Sequence, residues 1–265
     1  PGGAEDPVQQ WQIRRLHLES LESMVAEREL FVEVAQPAHV DEHFPDFGTP
    51  PNDAVIAHGG AAGDVNHDGL LDLVVTGVSG AHLYLNDGEG GFVDASEQSL
   101  LSLVPRATGA LLLDGDNDGD LDLFLAAVGQ QKYLENRLVP DGLVQYFDVS
   151  IEAGVALDAV GFSAAATDVN GDGLPDVYVA SYNRYGVVMP DSWHGASNGT
   201  PNLLFINQGG GRFREAGLQW GVRDGRWSYA ATFADVDRDG DQDLYVANDF
   251  GSNALYLNER THFRE

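Results

Sequence analysis

The sequence predicts an all-β chain of β-propeller blades, about four of them, each with four antiparallel strands, plus an N-terminal α-helix. Three observations predict the blades. An acidic segment of one pattern recurs four times, as DVNHDGLLD from Asp64, DGDNDGDLD from Asp114, DVNGDGLPD from Asp168 and DVDRDGDQD from Asp235. A small-residue apolar strand precedes each copy and a β-rich strand follows it. Each unit then adds a third strand ending in Asn and a turn into an aromatic-bearing strand. Four strands in a repeat of roughly 40–50 residues is the arithmetic of a propeller blade.

Taken in chain order, residues 7–29 read as a helix. Asp6 with Gln9 makes a capping-box pattern, and Pro7 suits the first helical position. Trp11, Leu18, Leu21 and Val25 share one face, while Ile13, Leu16 and Met24 lie nearly opposite. Two apolar faces suit a helix tucked into a groove or one shared with a partner chain. This sets a helical segment, 1–29, apart from the repeats, 30–265. LFVEVAQPAHV from Leu30 matches YFDVSIEAGV from Tyr146, so the repeats open on the outer strand and exit of a unit.

Four full units follow. Their first strands are AHGGAAGD, ATGALLLD, FSAAATD and YAATFAD; their second are LDLVVTG, LDLFLAA, PDVYVAS and QDLYVAN. The third strands are AHLYLN, QKYLEN, NLLFIN and NALYLN, and the fourth are GGFVDAS, VQYFDVS, GRFREAG and THFRE. NDGEGG and NQGGG supply hairpin turns that need positive φ. The longest spacing, between the third and fourth acidic segments, marks an insertion at about Arg184–Pro201, between the second and third strands of its blade. Trp227 and Tyr229, just before the fourth acidic segment, read as blade core. Four blades can close a small propeller, or be cut from a larger one; the cut is the favoured reading.

Composition narrows the function. The chain has 14 Lys and Arg against 42 Asp and Glu, a formal charge of −28. That disfavours nucleic acid and anionic membranes as partners and suits cations. Cysteine is absent, so disulfides and thiolate chemistry are excluded. No apolar run approaches the roughly 20 residues of a membrane span. The chain begins PGGAEDP, without Met, as a processed precursor or a fragment would.

The acidic segments read as calcium loops. Asp64, Asn66, Asp68 and Asp72 occupy positions 1, 3, 5 and 9, and Gly69 permits the sharp turn at position 6. Hard oxygen donors on alternate residues of a tight loop converge on one point, and the position-7 carbonyl, at Leu70, adds another. The second loop offers Asp114, Asp116, Asp118, Asp120 and Asp122; the third Asp168, Asn170, Asp172, Leu174 and Asp176; the fourth Asp235, Asp237, Asp239, Asp241 and Asp243. The expectation is about four Ca2+ ions, one per loop. No Cys or convergent His set suggests zinc, copper or iron. The alternative is an acidic turn that binds nothing, but close uncompensated carboxylates repel, and Arg238 is the only Lys or Arg interleaved in any loop. Position 12 is Val75, Leu125, Val179 or Val246, not the Glu of an EF-hand, and a strand follows instead of a helix.

The acidic loop, the DLYVAN strand and the LYLN hairpin resemble the FG-GAP/VCBS repeats of integrin-α-like propellers. DLYVANDFGSNALYLN from Asp243 and GTPNLLFINQGGGRFREAGLQWGV from Gly199 look most like the cartilage-acidic-protein/UnbV group. The resemblance implies calcium-bound blades in exported or surface proteins, without a common catalytic activity. It covers roughly residues 30–265.

No nucleophile–base–oxyanion set emerges from the sequence. His58, His67, His82 and His194 do not fall at metal-ligand spacing, and His67 is expected to face solvent. The NDFG run at Asn248–Gly251 lacks a Gly-rich phosphate loop and reads as a turn. The reading is therefore a non-catalytic calcium-binding module for protein or glycan interaction, adhesion or assembly, placed extracellularly, at the cell surface or in the periplasm. Two alternatives stand beside it. One is a structural subunit assembling through its helix or an open propeller edge. The other is a propeller enzyme with its site at the 184–201 insertion, where Trp193 and His194 lie, or at the central channel.

Overall fold

A computed structural model of the chain describes residues 32–40, 59–77, 80–104, 107–184 and 187–265. The helix expected at 7–29 and His58 lie outside the described residues. The chain divides into two compact units, Pro1–Val34 and Ala35–Glu265.

The second unit holds four sheets, one for each acidic segment. Blade 1 comprises β1 (Gly59–Gly63), β2 (Asp72–Gly77), β3 (Gly80–Asn86) and β4 (Phe92–Asp94), paired in that order. Blade 2 comprises β5 (Gly109–Leu113), β6 (Asp122–Ala126), β8 (Lys132–Asn136) and β9 (Tyr146–Asp148). Blade 3 runs β10 (Asp158–Thr167), β11 (Asp176–Ser181), β12 (Leu203–Asn207) and β13 (Phe213–Glu215). Blade 4 runs β14 (Ser228–Ala234), β15 (Asp243–Asn248), β16 (Ala254–Asn258) and β17 (Phe263–Arg264). Every pairing is antiparallel, as expected. One strand escaped the sequence reading: β7 (Val128–Gln130) leaves blade 2 and pairs with the start of β10 in blade 3. The buried Gln131 holds the bend that carries β7, bonding the Ala127 amide and the Ala127 and Gly129 carbonyls.

The first strands are small-residue strands because they crowd together. A Cβ on Gly59 would lie 2.7 Å from the Gly109 Cα, and one on Gly109 would lie 3.0 Å from the Phe162 carbonyl oxygen. Bulk goes to the second and third strands, where each blade presents one face to its successor. Val74 and Leu83 of blade 1 join Leu123, Leu125, Leu134 and Tyr146 of blade 2 in one core. Phe124 and Tyr133 meet Val177, Val179, Phe205 and Phe213 of blade 3. Tyr178 and Leu204 meet Leu244, Val246, Tyr256 and Phe263 of blade 4. Each large apolar side chain so buried contributes about 1.5–3 kcal/mol.

Polar links repeat with the same period. In blades 2, 3 and 4 the Asn that ends the third strand reaches back to the preceding blade. Asn136 donates to the Val65 carbonyl (3.2 Å), Asn207 to Gly115 (2.8 Å) and Asn258 to Val169 (2.9 Å). The aromatic residue heading each fourth strand does the same through its backbone: Tyr146 bonds Ser99, Phe213 bonds Ala153 and Phe263 bonds Trp220. Phe92 bonds Ala38 in this way, at 3.0 Å. The turn at Ala35–His39 thus stands toward blade 1 as the exits of blades 1, 2 and 3 stand toward their successors. Each exit ends in the left-handed region, at His39 (φ 61°), Leu100 (67°), Gly154 (79°) and Gly221 (76°).

The insertion falls between β11 and β12, where the spacing placed it. It straps blade 3 to blade 4: the Ala196 amide donates to the Phe250 carbonyl (2.7 Å), and the Trp227 indole donates to Asn198 (2.8 Å). Trp227 is fully buried, as expected of blade core, whereas Tyr229 is not core: it is 52% exposed, because it lines the cavity between the first strands. The NDFG run is a turn that packs Phe250 against Trp193 and Trp227.

Candidate metal loops

All four acidic segments join the first strand of a blade to the second, and they fold alike. In the first loop the Asp64 carboxylate accepts the Asp68 amide (3.1 Å) and the Gly69 amide (2.9 Å). Asn66 also accepts from Asp68, and Asp68 accepts from Leu70 (2.8 Å). Asp114, Asp116 and Asp118 repeat this set in the second loop. Asp168, Asn170 and Asp172 repeat it in the third. In the fourth, Asp235 accepts from Gly240, Asp237 from Asp239, and Asp239 from Asp241. In the first three loops these Asx turns draw the side chains of positions 1 and 3 together onto the position-5 amide.

The backbone needs positive φ twice. Gly69, Gly119, Gly173 and Gly240 at position 6 have φ of 88°, 102°, 88° and 94°. A Cβ there would meet nothing within 4 Å, so the demand is for backbone angle and not for space. Position 4 is also left-handed, at His67, Asn117, Gly171 and Arg238. Sequence reasoning missed this, since His and Arg carry no signal for it. The twist turns His67 to solvent, as expected, and Arg238 with it.

Position 9 has a role that the spacing did not reveal. Asp72, Asp122, Asp176 and Asp243 are at most 1% exposed. One oxygen of each accepts the amide of position 2: Val65, Gly115, Val169 and Val236, at 2.9–3.0 Å. The other accepts the amide of the Asn ending the third strand: Asn86, Asn136, Asn207 and Asn258, at 2.8–2.9 Å. This carboxylate clamps the loop to its own blade. The signal was present as an Asn at one place in all four units.

Two loops gather carboxylates closely. One oxygen each from Asp114, Asp116 and Asp122, and one each from Asp235, Asp237 and Asp239, lie within 4.8 Å of one another. Burial pushes Asp122 up to about 7 and Asp176 to about 6, against the pull of their hydrogen bonds. Burial, then the neighbouring Asp118, raises Asp116; desolvation, then Asp239, raises Asp237. A cation among these oxygens would offset their repulsion. The donor set is all oxygen, which fits a hard ion such as Ca2+.

Position 7 differs between loops. Leu70 and Leu174 offer only backbone. Asp120 is buried; one oxygen accepts the Val139 amide (2.7 Å), and the other is buried without a hydrogen-bond partner. Its pKa is pushed up to about 6 by burial. Asp241 pairs with Arg260 (2.7 Å). In blade 2 the Tyr133 hydroxyl also donates to Asp122. It fills the place of the Val side chain found at position 2 elsewhere, which is why position 2 is Gly115 there.

The four first strands line a cavity of about 570 Å³, walled by Gly60, Thr108, Gly109, Phe162, Ser163 and Tyr229 among others. Its lining is glycine, alanine, hydroxyl and aromatic, without a carboxylate or imidazole. Trp193 is 59% exposed on the insertion, with His194 beside it. Of the other histidines, His82 stacks on Tyr84.

Repeated four-stranded antiparallel sheets, each hung from a D-x-[DN]-x-D-G loop, define an FG-GAP-type repeat protein. The family model described as FG-GAP-like repeat matches residues 64–125 and 168–246, more than half of the chain, and the chain belongs to that family. Among individual proteins it is similar to cartilage acidic protein 1. The mouse (Mus musculus) protein is 28% identical over 82% of this chain and 44% of its own length. The human (Homo sapiens) protein is 26% identical over 82% of this chain and 43% of its own. The chain thus spans less than half the length of these relatives. Among solved structures, an Agrocybe aegerita lectin that recognises non-reducing terminal N-acetylglucosamine aligns with a TM-score of 0.42. The alignment has 17% identity and covers 78% of this chain and 51% of the lectin. No helix among the described residues is long and apolar enough to cross a membrane.

Proposed function

We propose that this FG-GAP repeat chain is a non-catalytic, calcium-binding propeller module of the cell exterior that serves protein or glycan interaction, adhesion or assembly. One observation supports the reading: four loops share an Asx-turn hydrogen-bond pattern, and in two of them three carboxylates each bring an oxygen within 4.8 Å of the others. Each ion would sit where the first strand of a blade passes into the second. It would offset the repulsion among its carboxylates and fix the turn that launches the second strand. The position-9 carboxylate, already clamping the blade, would share its charge with the ion.

Extracellular calcium modules work at about 10⁻⁴–10⁻³ M, so even weak sites would stay filled outside the cell. Residues 30–265 form the repeat domain in this proposal, and residues 1–29 a separate helical segment open to a homo- or hetero-assembly contact.

Calorimetric titration of the chelated protein with Ca2+ tests the reading, with a stoichiometry near four expected. Heat-free titration, an unchanged melt after chelation and no metal in the purified protein would together refute it.

A further inference from the structure

We infer that the four metal loops take up their cations cooperatively, the Asn that ends a third strand carrying the state of one loop to the next. This rests on the calcium-binding function proposed above and describes how its sites act on one another.

The Asn136 carboxamide touches two loops at once. It donates to the Val65 carbonyl at position 2 of the first loop (3.2 Å) and to the Leu121 carbonyl at position 8 of the second (3.3 Å). Asn207 bridges the second and third loops in the same way, through Gly115 (2.8 Å) and Pro175 (3.2 Å). Asn258 bridges the third and fourth, through Val169 (2.9 Å) and Gln242 (3.2 Å). The position-9 carboxylate completes each link. One oxygen accepts the main-chain amide of that Asn, and the other accepts the amide of the position-2 residue. Hydrogen bonds therefore run unbroken from Asp72 to Asp243, from carboxylate to position-2 residue to the Asn of the next blade to the next carboxylate. The run is buried throughout. Its four carboxylates are at most 1% exposed and its three Asn residues at most 3%.

Burial gives the run its force. Solvent cannot readily replace a lost bond there. A shift of position 2 in one loop must then move the next blade's Asn or leave a buried carbonyl unpaired. A cation held by one loop would fix the residues between its donors, position 2 included. Position 2 in turn holds the Asn that frames positions 8 and 9 of the next loop. The first ion thus completes part of the ordering that the second requires, which is positive cooperativity. Charge works the other way, since each bound ion lessens the pull of a chain at −28. That pull acts through solvent and is screened over about 8 Å at physiological salt, whereas buried contacts are screened much less. Added salt should therefore sharpen the cooperativity.

Calorimetric titration of the chelated full chain with Ca2+, at low and high salt, tests the inference. A sigmoidal isotherm is expected. Terbium reads a single link. Tyr133, whose hydroxyl donates to Asp122, should sensitise Tb3+ in the second loop, and Tyr133→Phe identifies that signal. Disabling the third loop with Asp168→Ala and Asp172→Ala should weaken terbium binding in the second at least about fivefold. In an Asn207→Ala background the same change should leave the second loop's affinity where it was. Circular dichroism checks that each variant is folded, and where one is not, the wild-type isotherm decides. Sites that fill independently would overturn the inference and leave the calcium function standing. So would an effect of the third loop on the second that persists without Asn207. A protein that binds no calcium would overturn both.

Discussion

Asn207→Ala should destabilise the protein by about 3 kcal/mol, and Asn86→Ala, at the same place in blade 1, by clearly less. Asn207 is 1% exposed. Its side chain donates to the Gly115 carbonyl of the preceding blade (2.8 Å) and to Pro175 (3.2 Å), and accepts from Gly209 (2.9 Å). Three bonds at about 1 kcal/mol net each give the figure, and orphaning the buried Gly115 carbonyl can only add to it. Among the described residues, Asn86 makes just two side-chain bonds, both exposed, to Leu71 and from Gly88. Its loss should cost about 1 kcal/mol or less. The main-chain bonds of both residues to Asp176 and Asp72 survive the change. Urea unfolding monitored by Trp fluorescence and far-UV circular dichroism measures both variants, and coincident transitions justify the comparison. Equal losses at the two positions would refute the claim that the Asn side chain acts as a staple between blades.

Chelation should lower the melting temperature; a site held at 100 times its Kd contributes about 2.7 kcal/mol. Gly173→Ala, which places a Cβ at φ 88° in open space, should cost about 1–2 kcal/mol through backbone strain and weaken calcium binding in calorimetry. Gly115→Val should clash with Tyr133, whose ring carbons would lie 3.0 Å from the new Cβ. Adding Tyr133→Leu should recover part of the stability, since blades 1, 3 and 4 pair an apolar residue with Val at these positions; an additive double mutant would contradict this. The metal-free protein should grow less stable as pH rises from about 4 to 7. Its folded state still holds protons on Asp122 (about 7) and Asp176 (about 6) that the unfolded chain has released. With calcium present the trend should reverse, because protons compete with the ion for the same oxygens. Melts at pH 5 and 7.5, with and without the ion, measure both slopes.

The sequence by itself determined the blade, its strands and its loops. Their residue types obey local rules: Asp and Asn for Asx turns, Gly69 and its counterparts for positive φ, and alternating apolar residues for strands. It also placed the insertion, by spacing, and marked Ala35–His39 as the exit of a unit, by likeness to the turn after β9. Only the tertiary structure decided what acts between blades. That the Asn ending one blade's third strand meets the position-2 carbonyl of the blade before it is a contact across 71 to 92 residues of chain, which no local pattern encodes. Nor did spacing separate the position-9 aspartates, which are buried clamps, from the aspartates at positions 1, 3 and 5, which differ from them in burial and not in residue type. Tyr245 and Tyr178 stand at the same place in the same strand pattern. One is 41% exposed and the other fully buried, because burial depends on whether another blade lies across the face.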